Sequence, residues 1–130
     1  MKYYNLYINF KDSSDTYHAI TEIFGVKPTE QAPSKFETNQ FDSWWHQVVE
    51  NEADSTFDFI NVFLDMIEPN LDKLAVLGIK KSDILFWLVN EYDKQCSMEF
   101  HPQEMKRLGE SGIGFNIDCF ELKEKQKTLD

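Results

Sequence analysis

The sequence predicts one α+β domain, with a largely antiparallel or mixed sheet of about five strands and helices mainly on one face, ferredoxin-like or related. A length of 130 residues is typical of a single domain. Hydrophobic residues make up 42% of the chain and aromatic residues 15%, which is enough for a core without disulfides or metals. Segments of two-residue and helical periodicity follow in the order β-α-β-α(α)-β-β-α-β. We expect the domain to span residues 1–122, followed by a charged tail over 123–130.

The first half of the chain predicts two strands separated by a helix. Residues 3–10 alternate in the manner of a half-buried strand. The polar run from Asp12 to Asp15 offers N-caps for a helix, which Gly25 would end in a left-handed conformation. After a polar loop, residues 41–50 predict the second strand. Its alternation places Trp44 and His46 on one face and Trp45 on the other.

The second half begins with a strongly apolar helix over about Thr56–Ile67, which Pro69 breaks or kinks. Residues 84–92 are apolar on both faces, as expected of a strand in the middle of a sheet. Alternation from Cys96 to Phe100 predicts the second strand of a hairpin. Pro102 and Glu104 then predict a capped helix start, Gly112 ends that helix, and residues 114–121 form the last strand.

Charge is unevenly distributed along the chain, whose formal net charge is −10. Residues 36–72 contain no Lys or Arg but nine acidic residues: Glu37, Asp42, Glu50, Glu52, Asp54, Asp58, Asp65, Glu68 and Asp72. Binding to nucleic acid requires phosphate neutralisation, so an acidic protein is a poor candidate for it. An anionic membrane is disfavoured for the same reason, whereas a basic protein partner is allowed. The alternative is that the charge only maintains solubility.

No pattern typical of a catalytic, metal or cofactor site is present. The three histidines, His18, His46 and His101, are far apart, and neither a His-x₃-His nor a Cys-x₂-Cys pair occurs. Two unpatterned cysteines predict a reducing compartment. We find neither a signal peptide at the N-terminus nor an apolar run of membrane-spanning length. We therefore expect a cytoplasmic protein with no cofactor and no metal.

One face of the predicted sheet carries an unusual set of side chains. On the first strand, Tyr3, Asn5, Tyr7 and Asn9 lie opposite the apolar residues. Depending on the strand register, Trp44 and Trp87 could join them. An aromatic, amide-bearing face suits a small ligand or a peptide, and the candidate ligand-binding residues are Tyr7, Trp44, His46 and Trp87. The alternative is that a helix packs on this face.

Several of these features together resemble a bacterial family known as domain of unknown function 4279. They are the alternating first strand, the segment Ile23-Phe24-Gly25-Val26-Lys27-Pro28-Thr29, a tryptophan after a polar loop (Trp44 or Trp45), and a helix that runs into Glu68-Pro69. A long apolar strand and a final helix and strand complete the likeness, which covers nearly the whole chain. The resemblance implies the fold and no particular activity, cofactor or catalytic residue.

The leading functional hypothesis is a non-catalytic interaction module whose acidic surface binds a basic protein partner, as an inhibitor or immunity-type protein would. The candidate partner-binding residues are Asp54, Asp58, Asp65, Glu68 and Asp72. A binder of a small ligand or peptide on the aromatic sheet face is the alternative. A hydrolase or transferase is the remote one, because it would require titratable groups to converge from distant parts of the chain.

Overall fold

The computed structural model describes residues 1–29, 41–50, 57–93 and 97–122, excluding the side chain of Glu50. Within these ranges it has four strands and four α-helices, with two short 3₁₀ turns at Glu68–Asn70 and Lys81–Asp83. In chain order the strands and helices are β1 (Lys2–Asn9), α1 (Ser14–Phe24), β2 (Ser43–Glu50), α2 (Phe59–Ile67), α3 (Leu71–Val76), β3 (Ile84–Tyr92), α4 (Pro102–Ser111) and β4 (Gly114–Glu121).

The sheet is mixed and its strand order is β2-β1-β3-β4. Strand β1 pairs antiparallel with both β2 and β3, and β3 pairs parallel with β4. The apolar strand β3 lies inside the sheet, as its two-sided hydrophobicity predicts. A ferredoxin-like fold is not confirmed: its β-α-β units would make the strands that flank α1 parallel, and β1 and β2 are antiparallel.

The predicted fifth strand is also not confirmed. The described part of that segment, Ser97–Phe100, is irregular rather than a strand. Its apolar residues Met98 and Phe100 pack against the hydrophobic core, and the ring of Phe100 lies 5.7 Å from that of Phe115 in β4. The edge of β3 where a hairpin partner would lie is occupied by β4. Hence the alternation of apolar residues in this segment reflects the packing of Met98 and Phe100 against the core instead of strand pairing.

All four helices contribute to a single core on one face of the sheet. From β1 this face presents Tyr4, Leu6 and Ile8, all nearly inaccessible to solvent. Helix α2 buries five large residues against them: Phe59, Ile60, Phe63, Leu64 and Ile67. At about 1.5–3 kcal/mol for each fully buried side chain, α2 is a major source of stability. No described helix combines the length and the apolar character that crossing a bilayer requires.

Local hydrogen bonds explain where the helices begin and end. At the start of α1, the Ser13 hydroxyl accepts a hydrogen bond from the amide of Thr16 at 3.2 Å, and Gly25 ends the helix with a φ of 70°. At the start of α4, the amide of His101 donates to Glu104 Oε1 at 2.7 Å. Both boundaries confirm the capping signals of the sequence.

Candidate functional site

The face of the sheet opposite the helices, here called the open face, carries rows of side chains that cross the strands. In the first row Tyr7 lies between Trp45 and Leu85, and Leu85 is level with Gly114. The second row runs from Gln47 through Asn5 and Trp87 to Asn116, and the third from Val49 through Tyr3 and Val89 to Asp118. The helices all pack in the core on the other face, and no described helix covers these rows.

Aromatic rings occur in all three rows, with two of them in the first. The rings of Tyr7 and Trp45 are stacked, with centroids 5.4 Å apart and planes 4° from parallel. Leu85 continues this row toward Gly114, where a Cβ atom would lie only 3.0 Å from Leu85 Cδ1. Tyr7, Trp45 and Trp87 are all partly exposed, and Val49 and Phe120 on the same face are 50% and 43% exposed. Exposed apolar side chains grouped on one face can mark an interaction site.

Two polar atoms among these side chains are buried without a hydrogen-bond partner: Asn5 Oδ1 and Trp45 Nε1. Asn5 is only 4% exposed and lies in the middle of the second row. An unsatisfied buried polar group costs about 1–3 kcal/mol, so native proteins rarely retain one without a reason. Asn5 Oδ1 is a hydrogen-bond acceptor and Trp45 Nε1 is a donor.

The two tyrosines of the open face are neutral hydroxyl groups at ordinary pH. Burial raises the pKa of Tyr7. The pKa of Tyr3 is raised first by burial and then by the charge of Glu91, with which it also shares a hydrogen bond. The face is therefore suited to hydrogen bonding and ring stacking rather than to proton transfer.

The predicted ligand-binding residues are divided between the two faces of the sheet. Trp44 is fully buried on the helix side, where its Nε1 donates to Thr21 Oγ1 at 3.1 Å and its ring packs on Phe24. His46 lies beside it, with Nδ1 2.8 Å from the carbonyl oxygen of Lys27, so Nδ1 carries the proton. The structure brings Tyr7 and Trp87 to the open face but not Trp44 or His46.

Trp45 takes the place on the open face that the sequence assigned to Trp44. Alternation along β2 correctly separates Trp45 from Trp44 and His46, and the pairing of β1 with β2 puts Trp45 opposite Tyr7. Asn5 shares the face because it is two residues from Tyr7 on β1. The missing information was the register between strands, which alternation within one strand does not provide.

The predicted partner-binding carboxylates are not an uninterrupted negative surface. Asp65 and Glu68 both form ion pairs with Arg107 of α4. The Nη2–Oδ1 distance to Asp65 is 2.7 Å and the Nε–Oε1 distance to Glu68 is 3.3 Å. Arg107 Nη1 also donates to Asn61 Oδ1 at 2.7 Å, and the hydrogen bond to Asp65 is the main reason that the pKa of Arg107 is raised. The expectation of an uncompensated acidic segment is wrong for these two carboxylates.

Among the described residues of the predicted set, Asp58 is connected to Arg107 only through the side chain of Asn61. Asp58, at the N-cap of α2, accepts two hydrogen bonds from Asn61 Nδ2, at 2.9 and 3.1 Å. Asp72 is exposed on α3, and Asp54 lies outside the described residues. Across the described ranges, no group of three or more His, Cys, Asp or Glu side chains is arranged to hold a metal ion.

An open cavity of about 410 Å³ lies between the beginnings of α2 and α4. It is lined by three carboxylates and three aromatic rings, namely Asp58, Glu99 and Glu104 with Phe57, Phe59 and Phe100, and its lining includes no Lys or Arg. The three carboxylates contribute a charge of −3, and two helix N-termini offset about one unit of it. The cavity is therefore net negative with apolar walls.

A family model described as domain of unknown function, DUF4279, matches residues 1–120. The chain belongs to the DUF4279 family. No curated protein and no solved structure matches it. The match includes β1 to α4 and nearly all of β4. The open face and the cavity between the beginnings of α2 and α4 therefore both lie within the region that the DUF4279 model matches. The description of the DUF4279 family states no activity.

Proposed function

We propose that the chain is a non-catalytic binding protein that holds a small ligand or a short peptide on the open face. The observation that carries this proposal is the aromatic face left uncovered by the described helices, all of which pack on the other side of the sheet. The competing explanation of the aromatic pattern was that a helix packs against it. The positions of α1 to α4 speak against that explanation for the described part of the chain.

The dimensions of the face favour a small occupant. Four strands that each occupy about 4.8 Å, and three rows that each occupy two residues at about 3.3 Å per residue, give an area of roughly 400 Å². A standard protein–protein interface buries about 800 Å² on each partner. The aromatic rows therefore match a ligand of one or two rings, or a few residues of peptide.

The chemistry of the face restricts the ligand further. The stacked rings of Tyr7 and Trp45 offer a flat apolar surface. Asn5 Oδ1 and Trp45 Nε1 lack partners, and a group with both a donor and an acceptor, such as an amide, would satisfy them once the neighbouring side chains move aside. Glu91 and Asp118 border the same face and disfavour an anion. We expect a neutral or cationic aromatic compound, or a peptide with an aromatic residue.

A thermal-shift screen of aromatic metabolites and short aromatic peptides tests this proposal. A ligand present at about 100 times its Kd raises the free energy of unfolding by about 2.7 kcal/mol. We expect a compound that raises the Tm of the wild-type chain and no longer does so with Trp87→Ala. Val76→Ala, on the exposed surface of α3, is the control and should retain the shift. A full screen without a shift, or a shift that Trp87→Ala retains, contradicts the proposal.

A second candidate function is the binding of a basic protein partner, as the sequence predicts, at a site smaller than the whole acidic segment. The supporting observation is the cavity lined by Asp58, Glu99 and Glu104, whose aromatic walls suit a Lys or Arg side chain through cation–π attraction. Asp65 and Glu68 are already paired with Arg107 and are excluded from this site. An inhibitor or immunity-type protein acting on a basic partner would be an instance.

Binding of an oligolysine peptide, followed by calorimetry, tests this second candidate. The isosteric triple variant Asp58→Asn, Glu99→Gln, Glu104→Gln should weaken binding about tenfold or more, and Gln at position 104 can still cap α4. The control triple variant Glu110→Gln, Asp118→Asn, Glu121→Gln removes the same charge elsewhere. Equal losses in the two variants would show that only net charge matters, which contradicts a specific cavity.

A further inference from the structure

In the part of the chain that the structure describes, β4 is an edge strand of the sheet. Among the described residues β4 pairs only with β3, and its other edge faces outward. Its sequence, GFNIDCFE, contains no Pro and no Lys, two of the residues that protect natural edge strands, and its two charged residues are Asp118 and Glu121. Ile117 is 45% exposed although it lies on the helix side, so no described helix overhangs the edge there. Phe120 on the open face is 43% exposed.

The sequence of β4 is complementary to itself in one antiparallel register. A two-fold axis perpendicular to the sheet keeps the helix sides of both copies on the same side. Residues that face each other across the axis must therefore both be odd-numbered or both even-numbered, because side chains alternate between the two faces of a strand. With the axis at Ile117, this residue faces its own copy, Asn116 faces Asp118, Phe115 faces Cys119, and Gly114 faces Phe120. The pairing then covers seven residues without opposing like charges.

The neighbouring registers are poorer. An axis at Asp118 sets two Asp118 carboxylates directly opposite each other, which is destabilising. An axis at Asn116 pairs only residues 114–118 within the strands and leaves both Phe120 side chains outside the paired region. The register centred on Ile117 is therefore the longest one without a like-charge pair.

We propose that β4 pairs with β4 of a second copy of this chain, centred on Ile117, to form a continuous eight-stranded sheet. Both helix layers would lie on one side of this sheet and both open faces on the other. The apolar side chains of Ile117 and Phe120, now exposed, would contact the partner copy. This inference goes beyond the proposed ligand function and does not depend on it, because the pairing uses the edge rather than the centre of the sheet.

Sedimentation equilibrium of the full chain over a range of concentrations tests the pairing. We expect a monomer–dimer equilibrium whose dissociation constant rises about tenfold in Ile117→Lys, because the two new charges would face each other. Val76→Lys introduces the same charge at a side chain that is 87% exposed on α3, and it should leave the equilibrium unchanged. A wild-type chain that remains monomeric at every concentration, or equal effects of both variants, overturns the proposal.

Cross-linking tests the register and does not depend on how well the lysine variant folds. In a background with Cys96→Ser and Cys119→Ser, Ile117→Cys places two thiols on directly opposed residues, within the Cα separation that a disulfide tolerates. Asn116→Cys is the matched control, since its two copies would be about 8 Å apart and out of reach. Disulfide-linked dimers that form with Ile117→Cys and not with Asn116→Cys support the register. Dimers of Asn116→Cys, or the failure of both variants to form dimers, overturn it.

Discussion

A single amide at the centre of the open face conflicts with stability and points to a role in binding. Asn5 is 4% exposed and its Oδ1 has no partner, whereas the flanking residues of β1 serve the core or the aromatic rows. Selection for stability alone would favour an apolar residue of similar size at this position. Asn also has low strand propensity. We interpret its presence as a feature of the ligand site.

We predict that Asn5→Leu stabilises the chain in the absence of ligand. Removal of the unsatisfied carbonyl should raise the free energy of unfolding by about 1 kcal/mol, as measured by urea denaturation. Asn9→Leu, at an exposed position of the same face, should change it little. The same Asn5→Leu chain should bind any ligand of the open face more weakly. A lower stability in Asn5→Leu would mean that Asn5 is a structural residue.

At the scale of secondary structure, elements with strong local signals were predictable from the sequence. The apolar character of β3 on both faces predicts its place inside the sheet, and Pro102, Glu104 and Gly112 predict the bounds of α4 through caps that involve only near neighbours. Helix α2 was recognised by its apolar stripe. These signals depend on residues a few positions apart, which is the range that a sequence pattern records directly.

Features that depend on distant contacts were not predictable in the same way. Ser97–Phe100 alternates like a strand, but β4 pairs with the edge of β3 and Phe100 packs beside Phe115. The predicted ligand site included Trp44 instead of Trp45 because the choice depends on how β2 pairs with β1. Arg107 lies 42 residues beyond Asp65 in the sequence, so its contact with that carboxylate follows only from the packing of α4 on α2.

For the whole molecule, the excess of negative charge is the main electrostatic property. The net charge is −10, and the ion pairs among the described residues are those of Arg107 with Asp65 and Glu68 and of Lys106 with Glu110. The Lys106–Glu110 pair is largely exposed and 4.0 Å long, so it contributes little. A net charge of −10 repels itself in the compact state and thereby lowers the free energy of unfolding.

We predict that moderate salt stabilises this chain. At 0.1 M NaCl the screening length is about 10 Å, short enough to weaken repulsion across the surface while leaving the close contacts of Arg107 largely intact. The free energy of unfolding in urea, at neutral pH, should increase by on the order of 1 kcal/mol between very low salt and 0.2 M NaCl. The control is the same titration near the isoelectric pH of about 4.7, where the effect should nearly vanish. A fall in stability with salt at neutral pH would mean that the ion pairs around Arg107, rather than the net charge, dominate the electrostatics of the fold.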